Sequence, residues 1–60
     1  MAVRISGTEW RRIFAEVAHL CSKLARAGRM NYRECMSKYL RLAHETGGVP
    51  EELRALAAGL

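Results

Sequence analysis

The residues most able to bind a metal ion in this chain are its two cysteines and two histidines. His19 and Cys21 are two positions apart on a predicted helix, so their side chains point to nearly opposite sides. His44 falls in the last turn of a second predicted helix, where the helix dipole favours a histidine. These positions do not match the ligand spacings of a zinc site. We therefore predict no metal site and no cofactor.

The two cysteines could instead form a disulfide bond. Counted outward from a turn near Gly28, Cys21 lies level with about position 38 of the second helix, and Cys35 lies level with about position 24 of the first. The offset is about one helical turn between axes about 8–10 Å apart, which exceeds the Cα spacing of less than about 7 Å in most disulfides. We therefore predict that Cys21 and Cys35 are buried, reduced thiols.

A catalytic dyad is another reading of Glu16 and His19, which lie three positions apart on one helix face. No nucleophile on that face has an evident partner, and no predicted loop is long enough to wall a substrate pocket. Gly47 and Gly48 follow a helix and not a strand, unlike the glycines of a phosphate-binding loop. The sequence predicts a protein that is not an enzyme and has no small-molecule substrate.

Positive charge is concentrated in the first part of the chain: residues 1–46 carry nine Lys and Arg against four Asp and Glu, whereas residues 47–60 carry one and two. Four basic side chains surround the predicted turn between the first two helices and form what we call the basic tip: Lys23, Arg26, Arg29 and Arg33. Guanidinium groups bind carboxylate and phosphate well, so this tip is a candidate contact for an acidic protein surface or a nucleic acid. The alternative is an ordinary solvated helix end, where basic residues are favoured.

Three helices must position these residues, and their predicted bounds are about 7–27, 32–46 and 50–58 in a single domain of residues 1–60. Ser6 and Glu9 form a capping box at the start of the first helix. Asn31 is the N-cap of the second helix, which ends at Gly47. Pro50 is expected at the first position of the third helix. The predicted fold class is all-α.

The first two helices bury apolar residues at three- and four-residue intervals and are joined by a tight turn, which predicts an antiparallel helical hairpin. The first helix is longer by about 8 Å, so its Trp10 end overhangs the second. We expect the hairpin, with the short third helix, to form a homodimeric helical bundle. The predicted interface residues are Trp10, Phe14, Tyr39 and Leu40.

The N-terminal segment AVRIS is followed by a helix, a turn containing glycine, and a second helix. This order resembles the ribbon-helix-helix family of DNA-binding dimers, in which two paired strands place alternate side chains in the major groove. The resemblance implies base reading by Arg4 and Ser6, and core packing by Val3 and Ile5. It departs from the family in a first helix about two turns longer than usual. The competing interpretation makes Ile5 and Trp10 a hydrophobic staple.

Two functions fit these observations. The first is a small non-catalytic regulator or inhibitor, of the kind carried by phages and plasmids, that binds a partner protein through a helical surface. The alternative is a dimeric DNA-binding transcriptional regulator. No apolar run approaches the length of a membrane span, and the N-terminus lacks the apolar segment of a signal peptide. We therefore expect a cytoplasmic protein with no membrane partner.

Overall fold

The computed structural model describes residues 5–60 and contains three helices: α1 (Gly7–Arg26), α2 (Tyr32–Thr46) and α3 (Glu51–Ala58). No strand occurs within residues 5–60, so the all-α prediction is confirmed. Helix α1 ends one residue before its predicted end, and α3 begins one residue later than predicted because Pro50 is its N-cap. No helix within the described range is long and apolar enough to cross a bilayer.

Short-range hydrogen bonds explain where the first two helices begin. The Ser6 Oγ accepts a hydrogen bond of 3.1 Å from the Glu9 N–H, which satisfies one unpaired donor in the first turn of α1. The Asn31 Oδ1 accepts bonds of 2.9 and 3.3 Å from the N–H groups of Arg33 and Glu34 at the start of α2. Helix α3 has no side-chain cap and depends more on its packing against the rest of the chain.

The turn between α1 and α2 folds the chain back beside the end of α1. Gly28 has a φ of 70°, a left-handed conformation that residues with a Cβ rarely adopt. Its N–H donates to the Ala25 carbonyl at 3.0 Å, and the Arg29 N–H donates to the Leu24 carbonyl at 2.9 Å. This bond pair is a Schellman motif. Helix α2 therefore starts beside the last turn of α1 and not beyond its end.

The core lies where α1 packs against both α2 and α3. Of the eight residues in the buried core cluster, four lie on α1, three lie on α2, and one, Leu53, lies on α3. The cluster contains Ile13, Val17, Cys21, Leu24, Cys35, Tyr39, Ala43 and Leu53. Because α3 is only eight residues long, its attachment depends on a few buried side chains.

Cys21 and Cys35 form a disulfide bond between α1 and α2, with their Cα atoms 5.7 Å apart. The prediction of two reduced thiols is therefore wrong. The prediction misaligned α2 against α1. The fold-back at the turn brings position 35, and not position 38, beside position 21. Three residues of helix correspond to about 4.5 Å along the axis.

The same change of register corrects the predicted overhang of α1. The ring of Trp10 meets the ring of His44 edge to face, with centroids 5.7 Å apart and an interplanar angle of 85°. Helix α2 therefore reaches the first turns of α1. Trp10 is half-buried within a single chain instead of projecting beyond its neighbour.

Candidate functional site

The basic tip consists of side chains that all face solvent. Lys23 and Arg26 project from the last turns of α1, Arg29 from the turn, and Arg33 from the first turn of α2, and all four are exposed. Within residues 5–60, no acidic group forms an ion pair with any of them. Their charges are therefore available to an external carboxylate or phosphate.

The ion pairs among the described residues lie along α3 and involve the carboxylates of Glu16, Glu51 and Glu52. Arg54 donates from its Nε to the Glu16 Oε2 at 2.8 Å, and its Nη1 lies 3.8 Å from the Glu51 Oε1. The hydrogen bond to Glu16 and the charge of that carboxylate raise the pKa of Arg54 above its ordinary value. The Lys38 Nζ lies 3.9 Å from the Glu52 Oε1. The pairs Arg54–Glu16 and Lys38–Glu52 join α3 to α1 and to α2, and none of these ion pairs includes a residue of the basic tip.

An open hollow of about 600 Å³ extends the positive surface from the tip along the outer side of α2. Its lining comes from α2 alone and consists of Arg33, Glu34, Ser37, Lys38, Arg41 and Leu42. Arg33 belongs to both the tip and the hollow. Sequence reasoning missed Arg41, although its position eight residues after Arg33, with Ser37 between them, places all three along one side of a helix.

The predicted interface residues are exposed to very different degrees. Phe14 is 44% exposed, whereas Tyr39 is 1% exposed and belongs to the core. Trp10 and Leu40 are partly buried and pack against the core cluster. Tyr39 must therefore be removed from the predicted interface, because another molecule cannot contact it while the chain is folded.

Phe14 and Leu40 lie on the side of the molecule that faces away from α3. Helix α3 contacts α1 at Glu16 and α2 at Lys38. Residues two positions apart on a helix point to nearly opposite sides, which places Phe14 opposite Glu16 and places both Met36 and Leu40 opposite Lys38. We call these three residues the apolar face.

A smaller hollow of about 280 Å³ lies at the Trp10 end of the molecule. Ile5, Gly7, Trp10 and His44 line it. Ile5 also packs against the core cluster, which agrees both with the hydrophobic staple and with the core packing that the ribbon-helix-helix resemblance implies for it. The hollow lies near the start of α1, at the end remote from the basic tip.

The predicted DNA-reading segment falls largely outside the described residues. Arg4 and Val3 lie there, and their predicted roles stay predictions. Ser6 is described, and its Oγ accepts the capping hydrogen bond of α1. A base contact by Ser6 would have to share or replace that bond, so base reading by Ser6 stays a prediction.

Two surfaces of the described chain can therefore bind other molecules, and they differ in the kind of group that they bind. The basic tip and its hollow can bind carboxylate or phosphate groups, and the apolar face can bind another apolar surface. This chemistry is the guide to function, because no protein-family model, curated protein or solved structure matches the chain.

Proposed function

We propose that this protein is a small non-catalytic regulator or inhibitor whose basic tip binds an acidic surface of a partner protein. The observation that carries the proposal is the exposure of all four tip side chains without ion pairs among the described residues. A concentrated positive field accelerates encounter with an acidic partner and selects against basic ones. Arginine is also enriched in protein interfaces.

A protein partner fits the molecule better than a nucleic acid because an apolar face accompanies the basic tip. Protein interfaces combine an apolar centre with a polar rim. Protein–DNA interfaces are more polar and much more positively charged. The regulatory role is an analogy with the small regulators carried by phages and plasmids, and it rests on the small size of the chain. The Cys21–Cys35 disulfide argues against the predicted cytoplasmic location, because the cytosol keeps thiols reduced, and the proposed function does not depend on that location.

We also propose that the apolar face of one antiparallel hairpin packs against the same face of a second copy. A 60-residue chain buries only about 60% of its unfolded surface, and association is a common source of added stability. Phe14 and Leu40 contribute from both copies in such a two-fold interface.

Substitution of Phe14 by serine tests the dimer. We expect Phe14→Ser to shift a dimer to monomer in sedimentation measurements, while Leu56→Ser leaves the dimer intact. Leu56 is a matched control because it is 43% exposed, almost as much as Phe14, but lies on α3. A wild-type protein that sediments as a monomer at high concentration would contradict the proposal, as would equal effects of the two substitutions.

Charge reversal tests the basic tip. The variant Arg26→Glu with Arg29→Glu changes the tip, and the control Arg11→Glu with Arg12→Glu makes the same charge change at exposed positions near the start of α1. We measure binding to a fluorescent polyglutamate peptide and to a mixed-sequence DNA duplex at physiological ionic strength. We expect the tip variant to lose about tenfold or more in affinity for the peptide, and the control to lose much less.

The duplex measurement separates the two functions. A wild-type protein that binds the duplex tightly, with affinity falling steeply as salt rises, and binds the peptide weakly would favour the DNA-binding alternative. Equal losses in the tip variant and the control would show that only net charge matters, which would contradict a localised site.

A further inference from the structure

The disulfide encloses the segment that carries the basic tip. Cys21 and Cys35 are 14 positions apart, and the four tip residues all lie between them in the chain. The crosslink also joins the two helices from which the tip projects, close to the turn. The tip is therefore a covalently closed unit, although neither cysteine is one of its exposed residues.

The backbone inside this closed segment is fixed by several contacts. The two Schellman hydrogen bonds hold the turn at Gly28, and Asn31 caps the start of α2. Leu24 and both cysteines are buried under the turn, with 1%, 0% and 0% exposure respectively. The arginine side chains therefore start from fixed positions, and little backbone freedom remains to be lost when a partner binds.

We propose that the Cys21–Cys35 disulfide holds the basic tip in its binding geometry, so that reduction of this bond weakens the tip's binding to an acidic surface. The inference rests on the proposed function and adds that binding by the basic tip depends on the redox state of Cys21 and Cys35. When a dithiol is the reductant, two electrons and two protons pass to the cystine, giving two cysteine thiols, and the dithiol becomes a disulfide. The reduced segment is held only by its non-covalent contacts and samples more conformations.

The expected effect is an affinity about tenfold lower after reduction. This corresponds to a reduced tip that occupies the binding geometry about one-tenth of the time, because apparent affinity falls in proportion to the competent fraction. Coupling also acts in the other direction. A bound acidic peptide stabilises the closed geometry, so it slows the opening that must expose the buried sulfurs before a dithiol can attack them.

The experiment compares oxidised wild type, wild type reduced with a dithiol, and the variant Cys21→Ala with Cys35→Ala. Each is titrated with the fluorescent polyglutamate peptide, while circular dichroism monitors helix content. We expect about tenfold weaker binding by the two forms that lack the disulfide. Equal affinity in all three folded forms would overturn the inference and leave the proposed function intact. No binding by the oxidised protein would overturn the proposed function itself.

If the forms without the disulfide fail to fold, a second measurement tests whether peptide binding and the disulfide are coupled. The rate at which a dithiol reduces oxidised wild type is measured with and without the peptide, with Arg26→Glu, Arg29→Glu as the control. We expect the peptide to slow reduction of the wild type severalfold and to leave the rate in the control variant unchanged. An unchanged rate in a wild-type protein saturated with peptide would contradict the coupling.

Discussion

Replacement of Leu53 by alanine should release α3 from the rest of the molecule. Helix α3 is eight residues long and lacks a side-chain cap, so on its own it is too short to be stable in water. It buries Leu53 completely and Ala57 almost completely, with 0% and 4% exposure. Its ion pair with Glu16 is about half exposed, so solvent screens it and it contributes less than the buried leucine. Leu53 is thus the main attachment.

The expected loss of stability follows from this burial. Burial of a leucine side chain stabilises the folded state by about 1.5–3 kcal/mol. Truncation to alanine also leaves a cavity, which brings the loss of folding free energy to about 2–5 kcal/mol. A single core in a chain of this size rarely supplies more than about 3–5 kcal/mol. Leu53→Ala should therefore leave α3 detached or the whole chain close to unfolding.

Urea unfolding followed by circular dichroism measures the change, with Leu56→Ala as control because Leu56 is largely exposed. Amide hydrogen exchange then shows whether α3 alone has lost protection. Leu53 is not the main attachment of α3 if Leu53→Ala costs less than about 1 kcal/mol, or if Glu16→Gln destabilises the chain as much as Leu53→Ala does.

Three further predictions concern the turn, the first helix cap and the N-terminal segment. Gly28→Ala should destabilise the chain by about 1 kcal/mol because it puts a Cβ at a φ of 70°. The control Gly48→Ala should be neutral in the same urea titration, because Gly48 has open space around it and no left-handed φ. Equal effects of the two substitutions would argue against strain at the turn. Ser6→Ala should cost about 0.5–2 kcal/mol through the lost bond to Glu9. Arg4→Ala should leave stability and duplex binding unchanged, and loss of a specific duplex complex in that variant would make DNA reading the leading function.

Local signals were sufficient to locate the helices. The bonds made by Ser6 and Asn31 involve residues two or three positions away, and the left-handed conformation of Gly28 depends only on its own neighbours. Such features are encoded in short stretches, so sequence reasoning can find them. The fold class and the approximate helix bounds follow from these signals.

Contacts between helices were harder to predict because periodicity defines a helix face but not what covers it. Phe14 and Tyr39 both fall on apolar stripes, yet one is 44% exposed and the other 1%. The register error had a similar origin, since counting outward from the turn assumed that both helices end at the same level. The Schellman fold-back removes that symmetry, and the Cys21–Cys35 bond depends on it.

The position of the disulfide also determines what proteolysis does to this molecule. Arg26 and Arg29 are exposed near the turn, where a trypsin-like protease cleaves after arginine. A single cut after Arg29 would divide the chain into two fragments, one containing Cys21 and the other Cys35. The fragments would stay joined by the cystine, so the nicked protein would survive as one two-chain molecule until a reductant separated them.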